Sequence, residues 1–182
     1  MIGEQKVVVI MPAYNAARTL EQTYTEIPHD IVDAVVLVDD CSDDNTVEIA
    51  KKIGITHIIC HENNIGYGGN QKTCYRYALG LGADIIIMLH PDYQYTPKLI
   101  PAMVSLISSE LYPVVLGSRI LGGGALRGGM PRYKYIANRL LTAIQNLLIG
   151  QKLSEYHTGF RAIKSTVLQN INFGANSNDF LF

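Results

Sequence analysis

The sequence predicts a three-layer α/β/α domain with a mostly parallel central sheet. Three observations predict it. Short runs of Val, Ile and Leu recur along the chain without polar alternation, as in strands buried on both faces. Stretches with helical spacing separate these runs, and repeated strand–helix alternation builds a parallel sheet between helices. Several of the runs break off abruptly into acids, amides and histidine, at the strand ends where open α/β sheets bind their ligands.

The elements follow in order. Lys6 to Met11 reads as a buried strand, and Pro12-Ala13-Tyr14-Asn15 turns out of it into a helix from Arg18 to Ile27. Ala34 to Val38 is the second strand and ends in Asp39-Asp40-Cys-Ser-Asp-Asp-Asn-Thr46. A helix follows to about Ile53, opened by Asn45 and Glu48 at capping-box spacing and stopped by Gly54. His57 to Cys60 is a short third strand, leading through a Gly-rich turn to a helix ending near Leu79. Ile85 to Leu89 is the fourth and most apolar strand, followed by His90-Pro-Asp-Tyr-Gln94. Pro97 to Ser108 is helical, with proline in the first turn, and Pro113 to Leu116 is a fifth strand. Beyond Arg119 the alternation breaks. Gly122 to Gly124 and Gly128-Gly129 frame a loop expected to be mobile. Tyr133 to Ile149 forms one amphipathic helix, with Ile136, Leu140, Leu141, Ile144, Leu147 and Leu148 on a stripe. Core packing is the ordinary reading of that stripe. The other is a helix lying in a membrane interface, with Arg132, Lys134 and Arg139 supplying positive charge. A short strand or turn near Phe160 and a helix from about Ser165 close the chain.

At 182 residues the chain has the size of a single domain. Apolar residues make up 48% and charged residues 17%, which sets it apart from disordered chains. The formal net charge is −1 without a basic block, so no nucleic-acid partner is expected. Three cysteines without metal-ligand spacing point to reduced thiols and a cytoplasmic setting. No run reaches the roughly 20 apolar residues needed to span a bilayer. The last residues, Asn-Asp-Phe-Leu-Phe182, stop on an apolar run without a helix stop, as expected of a chain that continues.

The strand ends carry the chemistry. His90, Asp92 and Gln94 share one face if the chain stays extended, as Pro91 favours for His90. Asp39 and Asp40 end the second strand on the same edge. A strand-end acid beside a Gly-rich turn also suggests a dinucleotide cofactor, but the first turn has no glycine. Gly66-Tyr-Gly68-Gly69-Asn-Gln71 has glutamine in place of a third glycine, so the dinucleotide fingerprint fails.

Taken together, the motifs resemble the inverting family 2 glycosyltransferases with the GT-A fold. The resemblance runs from Val7 to about Phe182. It rests on Val-Ile-Met-Pro-Ala-Tyr-Asn15, Val-Asp-Asp-Cys-Ser-Asp43, Asn64-Ile-Gly-Tyr-Gly68, His90-Pro-Asp-Tyr-Gln94 followed by Pro97, Gly117-Ser-Arg119 and Thr158-Gly-Phe-Arg161. Asn138-Arg139 and the Gly-Phe-Arg word resemble the dolichyl- and polyprenyl-phosphate sugar synthases. The resemblance implies that Pro12, Ala13, Tyr14 and Asn15 line a nucleotide-sugar pocket. Asp39 and Asp40 border it, with Asp40 accepting from the base, and Gly66, Gly69 and Lys72 lie near its wall. Asp92, Gln94 and His90 are implied as ligands of a divalent metal, and Asp92, Glu155 and Arg119 as the catalytic residues. His90 stands where the family has its first acid, which leaves Mn²⁺ or Mg²⁺ open, since imidazole suits Mn²⁺ better. Arg119 and Arg132 are implied to hold acceptor or diphosphate oxygens. Glu155 stands four residues before Gly159, where the family carries Asp, and is a candidate catalytic base, as is Asp179; His157 reads as a loop histidine.

The implied reaction moves a sugar from a UDP- or GDP-linked donor to a polyprenyl phosphate or saccharide with inversion. The expected setting is the inner face of a membrane, with peripheral contact to it and roles in cell-envelope or glycolipid synthesis. Two other readings fit a nucleotide site on an α/β sheet: a nucleotidyltransferase, and a non-catalytic nucleotide-sugar binding module.

Overall fold

The computed structural model describes residues 5–121, 123–126, 130–156 and 158–179. Residues 1–4, 122, 127–129, 157 and 180–182 lie outside that description. With them go most of the glycine loop, the loop histidine and the closing apolar run. The chain forms two compact units, residues 1–115 with 161–182, and residues 116–160.

The first unit is organised by β1 (Val7–Ala13), β2 (Ala34–Asp39), β3 (His57–Cys60) and β4 (Ile85–Leu89). Every residue of β1 and β4 is buried, which is why these runs carry no polar alternation. β1 pairs in parallel with β2 and β4, and β2 with β3. The sheet continues through β6 (Phe160–Lys164) to β5 (Val114–Leu116), in the order β3-β2-β1-β4-β6-β5. The Gly117 N–H donates to Phe160 O at 2.8 Å and the Lys164 N–H to Pro113 O at 2.9 Å, so β5 and β6 run antiparallel. Gly117 has to be glycine here, because a Cβ would stand 2.7 Å from the Phe160 ring.

The connections are α1 (Leu20–Thr25), α2 (Thr46–Lys52) and α3 (Tyr67–Gly80). Strand order moves outward from β1 to β3 and then returns past β1 to β4. With right-handed crossovers, that reversal puts α3 on the face opposite α1 and α2. Cys74, Tyr75 and Ala78 of α3 accordingly pack with Val8, Ile10, Val36, Val38, Ile86 and Met88. A 3₁₀ turn, Pro97–Leu99, leads into α4 (Ile100–Ser108), whose Ile100, Met103, Val104 and Ile107 are buried. α6 (Ser165–Asn170) adds Leu168 to the α3 cluster.

Several boundaries differ from the sequence expectation. β1 runs on through Pro12 and Ala13, because β1 pairs with β4 only as far as Ile10. Beyond that point one side of β1 is open, and a proline without an N–H is tolerated. α1 starts at Leu20, not Arg18; the Thr19 hydroxyl donates to Pro91 O at 2.5 Å and so caps nothing. The capping box at Asn45 does not form. Asp44 takes its place and accepts from the Thr46 N–H at 3.0 Å.

The second unit is built on α5 (Arg132–Ile149), ended by Gly150 in the left-handed conformation. Here the core-packing expectation is overturned. Ile136 is 66% exposed, Leu147 83% and Leu148 78%, and Thr142 is the buried residue of the helix. What α5 turns toward its own unit is polar. Asn146 donates to Leu153 O and accepts from the Leu153 N–H, both at 2.9 Å, and also accepts from the Tyr156 hydroxyl at 2.8 Å.

Candidate functional site

The reversal point of the strand order, between β1 and β4, is where an α/β sheet opens a crevice at its carboxyl ends. A cleft of about 290 Å³ lies there. Its wall consists of Pro12, Ala13, Tyr14, Asn15, Ala16 and Thr19 after β1, Asp40 after β2, Asn64, Tyr67 and Asn70 around the start of α3, and His90, Pro91 and Asp92 after β4.

Reciprocal hydrogen bonds fasten the loop after β1 to the loop after β2. The Asn15 N–H donates to Ser42 Oγ at 2.9 Å, and Asn15 Oδ1 accepts from the Asp43 N–H at 2.9 Å. Asn15 holds φ +51°, a conformation asparagine tolerates better than most residues. The Ala16 N–H donates to Thr46 Oγ1 at 2.8 Å. Asn70, buried, ties the two strand ends together by donating to Ala13 O at 3.2 Å and Val38 O at 3.0 Å. The Tyr14 ring is left half in solvent on the cleft wall.

Asp39 and Asp40 are both buried, with different employment. Asp39 is not part of the cleft wall and caps its own turn, accepting from the Ser42 N–H at 2.9 Å and the Ser42 hydroxyl at 2.5 Å. Asp40 lines the cleft while holding the loop before α3. Its Oδ1 accepts from His61 Nδ1 at 2.8 Å and the Ile65 N–H at 3.0 Å, and its Oδ2 from the Gly66 N–H at 3.0 Å. A carboxylate offers about four acceptor positions. Three are engaged, which leaves one at Oδ2 for a ligand.

Asp92 is exposed at the cleft wall, with Oδ1 accepting from the Gln94 N–H at 3.0 Å. Gln94 itself is not part of the wall. The extended geometry expected for His90, Asp92 and Gln94 is not adopted, because Tyr93 between them holds φ +56°. His90 is stacked on Tyr67, ring centroids 5.3 Å apart, and its Nε2 lies 3.0 Å from the Tyr67 hydroxyl. Burial lowers its pKa to about 4; the Asp92 charge pulls the other way and the Arg161 charge adds to the fall. The ring is therefore a neutral imidazole with Nε2 engaged.

Gly66, Gly69 and Lys72 stand off the wall. Residues 176–179 take the donors of Gly68, Gly69 and Lys72. The Gly68 and Gly69 N–H groups donate to Asn178 O at 2.8 and 3.1 Å, and Lys72 Nζ to Asn178 Oδ1 at 2.8 Å and to Asn176 O. Gly66 holds φ +87°, and a Cβ there would meet Asn178 O at 2.6 Å. Gly69 packs on the Ile65 side chain, which a Cβ would approach to 3.0 Å.

Arg119, Arg132 and Glu155 belong to the second unit. Glu155 is buried and accepts from the Arg119 N–H at 3.2 Å, Arg119 Nη2 at 3.4 Å, Asn138 Nδ2 at 3.4 Å and the Ser118 hydroxyl at 3.5 Å. That is the setting of a structural carboxylate. Arg132 is exposed in the first turn of α5.

Six wall residues were not among the candidate site residues of the sequence reading: Ala16, Thr19, Asn64, Tyr67, Asn70 and Pro91. Arg161, quoted only as part of a motif, hydrogen-bonds Tyr75 and acts electrostatically on Tyr67 and His90. A polar residue inside a helix start, such as Asn70 after two glycines, was the available signal.

Among the described residues, no three His, Cys, Asp or Glu side chains are grouped to hold a metal ion. Asp92 is the one acid of the β4 end on the cleft. A single carboxylate is enough where substrate phosphates and water complete the shell of Mg²⁺ or Mn²⁺. Asp92 fits that role, and His90, with Nε2 held against Tyr67, does not fit it through that nitrogen.

Known proteins place this geometry. An uncharacterized protein of Methanocaldococcus jannaschii is 34% identical over 162 residues, 88% of this chain and 65% of its own length. A UDP-N-acetylglucosamine–dolichyl-phosphate N-acetylglucosaminyltransferase of Methanococcus voltae is 28% identical over 184 residues, 92% of this chain and 73% of that enzyme. Glucosyl-3-phosphoglycerate synthase of Mycobacterium tuberculosis, solved with Mn²⁺, UDP and glucosyl-3-phosphoglycerate, shares the fold at a TM-score of 0.68 and 20% identity. That match covers 92% of this chain and 60% of the synthase. The chain thus spans about two thirds or less of the first of these relatives and of the synthase. The sheet, with its cleft at the reversal point, is the GT-A arrangement. A glycosyl transferase family 2 profile matches residues 8–171, and the chain belongs to that family.

Proposed function

We propose that the protein transfers a sugar from a nucleoside-diphosphate sugar to a polyprenyl phosphate, with inversion at the sugar. The observation that carries this reading is the strand-end cleft, where an exposed carboxylate, Asp92, shares a wall with the loop of Pro12 to Asn15 and with Asp40. The exposed Tyr14 ring offers a stacking surface for a base, and the remaining acceptor position of Asp40 suits a base N–H. Asp92 is the residue that would hold a divalent ion. Such an ion supplies positive charge for a leaving diphosphate. The dolichyl-phosphate acceptor of the Methanococcus relative and the Mn²⁺ and UDP bound by the mycobacterial synthase support this choice of substrates and metal.

A phosphate acceptor is already ionised at neutral pH and attacks without a protein base. That suits the placement of Glu155, whose carboxylate is fully engaged by Ser118, Arg119 and Asn138. Removing it to serve as a base would strand buried donors. Arg132, exposed and outside such a network, is the arginine we assign to the acceptor phosphate. The reaction we infer takes place beside a membrane, at its cytoplasmic face.

The test is a panel of UDP- and GDP-sugars with Mn²⁺ or Mg²⁺ and a short polyprenyl phosphate, following nucleoside diphosphate and glycolipid. Product formed with the polyprenyl phosphate, and not with free saccharides, supports the reading. Pyrophosphate release from a sugar phosphate and a nucleoside triphosphate would replace it with nucleotidyl transfer. Tight binding without any product would replace it with a binding module.

A further inference from the structure

His90 and Tyr67 form a pair on the cleft wall that leaves one hydrogen over. The two rings are parallel to within 9°, their centroids are 5.3 Å apart, and His90 Nε2 lies 3.0 Å from the Tyr67 hydroxyl. A phenol O–H is a stronger donor than an imidazole N–H, and an imidazole nitrogen is a stronger acceptor than a phenol oxygen. Tyr67 therefore donates and Nε2 accepts. That bond fixes the tautomer and puts the ring hydrogen on Nδ1. Among the described residues no acceptor takes the Nδ1–H. Nor is Nδ1 one of the polar atoms sealed inside the protein without a partner. His90 lines the cleft, so the acceptor for this hydrogen is whatever fills the cleft.

The rest of the wall narrows the chemistry of that acceptor. Two of its residues are acids, Asp40 and Asp92, and none of those described is lysine or arginine. The Thr19 hydroxyl is spent on the Pro91 carbonyl, and the Asn70 amide on those of Ala13 and Val38. Lys72, one turn further along α3, is spent on residues 176 and 178. A diphosphate in this cleft thus meets carboxylates and few free donors, and the Nδ1–H is one of them. That group only donates. A hydroxyl oxygen would accept from it and leave its own hydrogen unanswered there, whereas a phosphate oxygen only accepts and is its full complement. An acid at this position has the opposite polarity: it accepts from hydroxyls and repels phosphate.

We propose that His90 donates from Nδ1 to a phosphate oxygen of the bound nucleoside diphosphate, so that diphosphate binding does not rest on a metal ion alone. This deepens the reading of the cleft as a nucleotide-sugar site and rests on it. The same tautomer keeps the ring from being a metal ligand at either nitrogen, since Nε2 accepts from Tyr67 and Nδ1 carries the hydrogen.

The test is calorimetric titration with UDP and with GDP, each in EDTA and in Mn²⁺, beside uridine and guanosine at millimolar concentration. Two substitutions separate the two ring nitrogens: an asparagine amide stands near the place of Nδ1, a glutamine amide near that of Nε2. H90Q should weaken nucleoside diphosphate binding in EDTA about tenfold, because a hydrogen bond to a charged group is lost. H90N should bring it back to within about threefold of wild type. H90D should lose more than H90Q in EDTA and recover most of it in Mn²⁺, whose charge offsets the added carboxylate. Uridine and guanosine should bind wild type and H90Q alike. Circular dichroism and melting report the fold of each variant; where H90N does not fold, the contrast between nucleotide and nucleoside on H90Q carries the test. A nucleoside diphosphate that binds wild type and H90Q equally in EDTA overturns the proposal and leaves the nucleotide reading standing. Wild-type binding that requires Mn²⁺ does the same. So does a loss that a folded H90N shares with H90Q, which would make the ring a packing element, or a loss that the nucleoside shares, which would turn Nδ1 toward ribose or base. If neither UDP nor GDP binds wild type with or without Mn²⁺, the nucleotide reading falls and takes this proposal with it.

Discussion

His90 is one proline away from Asp92, and its surroundings decide its charge. Burial takes its pKa down to about 4, from about 6.5 in an unfolded chain. The folded state then binds fewer protons than the unfolded state between those values, so stability falls as pH drops through that window. The expected loss is roughly 3 kcal/mol between pH 6.5 and 4. Urea denaturation across that range should show it in wild type, and H90Q should flatten it; an unchanged slope in H90Q would place the titration elsewhere. Asp92 behaves differently, because it is exposed and anchors only the Gln94 N–H. Asp92→Asn should change stability by no more than about 0.5 kcal/mol while removing Mn²⁺-dependent binding of UDP or GDP. Equal thermal stabilisation of mutant and wild type by Mn²⁺ with nucleotide would count against Asp92 as the ion's ligand. Asp40 is the contrary case. Its replacement by alanine leaves the Ile65 N–H and His61 Nδ1 without their acceptor and the Gly66 N–H with Asn64 Oδ1 alone. A loss of roughly 2–4 kcal/mol in stability is expected, quite apart from any ligand. An unshifted denaturation midpoint in Asp40→Ala would show that the loop does not rest on this carboxylate.

At the scale of the element, the start of α3 is the most constrained piece of backbone. Gly66 adopts φ +87° to bring two consecutive N–H groups of α3 against residues 178 and 179, and Lys72 closes on the same segment. Gly66→Ala adds backbone strain and a contact of 2.6 Å with a carbonyl oxygen. The expected cost is about 1–3 kcal/mol, read as a fall of several degrees in Tm. Gly54→Ala provides the comparison: it carries the same sign of φ, +89°, with open space around its Cβ, so it should cost less. Equal costs at the two positions would mean that the contact with Asn178 contributes nothing.

At the scale of the molecule, the cleft draws its wall from the ends of β1, β2 and β4 and the start of α3, so a ligand there braces four segments at once. UDP or GDP with Mn²⁺, at about a hundred times its dissociation constant, should stabilise the fold by roughly 2.7 kcal/mol, or 5–10 °C in Tm. Differential scanning fluorimetry measures this directly. No shift with any nucleoside diphosphate would remove the cleft as a nucleotide site.

What the sequence determined by itself is the sheet, the loops at its edge and the family. Runs such as Ile85–Leu89 can be buried on both faces or not at all, and the acids and prolines that follow them mark strand ends wherever they occur. The sequence also brought Pro12 to Asn15, Asp40, His90 and Asp92 to one edge, because parallel strands put their carboxyl ends together. Tertiary structure decided what each polar group is left free to do. Asp39, Lys72 and Glu155 look like candidates in a linear reading, yet partners at Ser42, at residues 176–178 and at Ser118, Arg119 and Asn138 satisfy them. Side-chain hydrogen bonds such as these leave no periodic trace in the sequence. The same holds for α5. Periodicity fixed which residues share a face, but core and interface helices have the same period, and only the polar contacts of Asn138 and Asn146 turned that face outward.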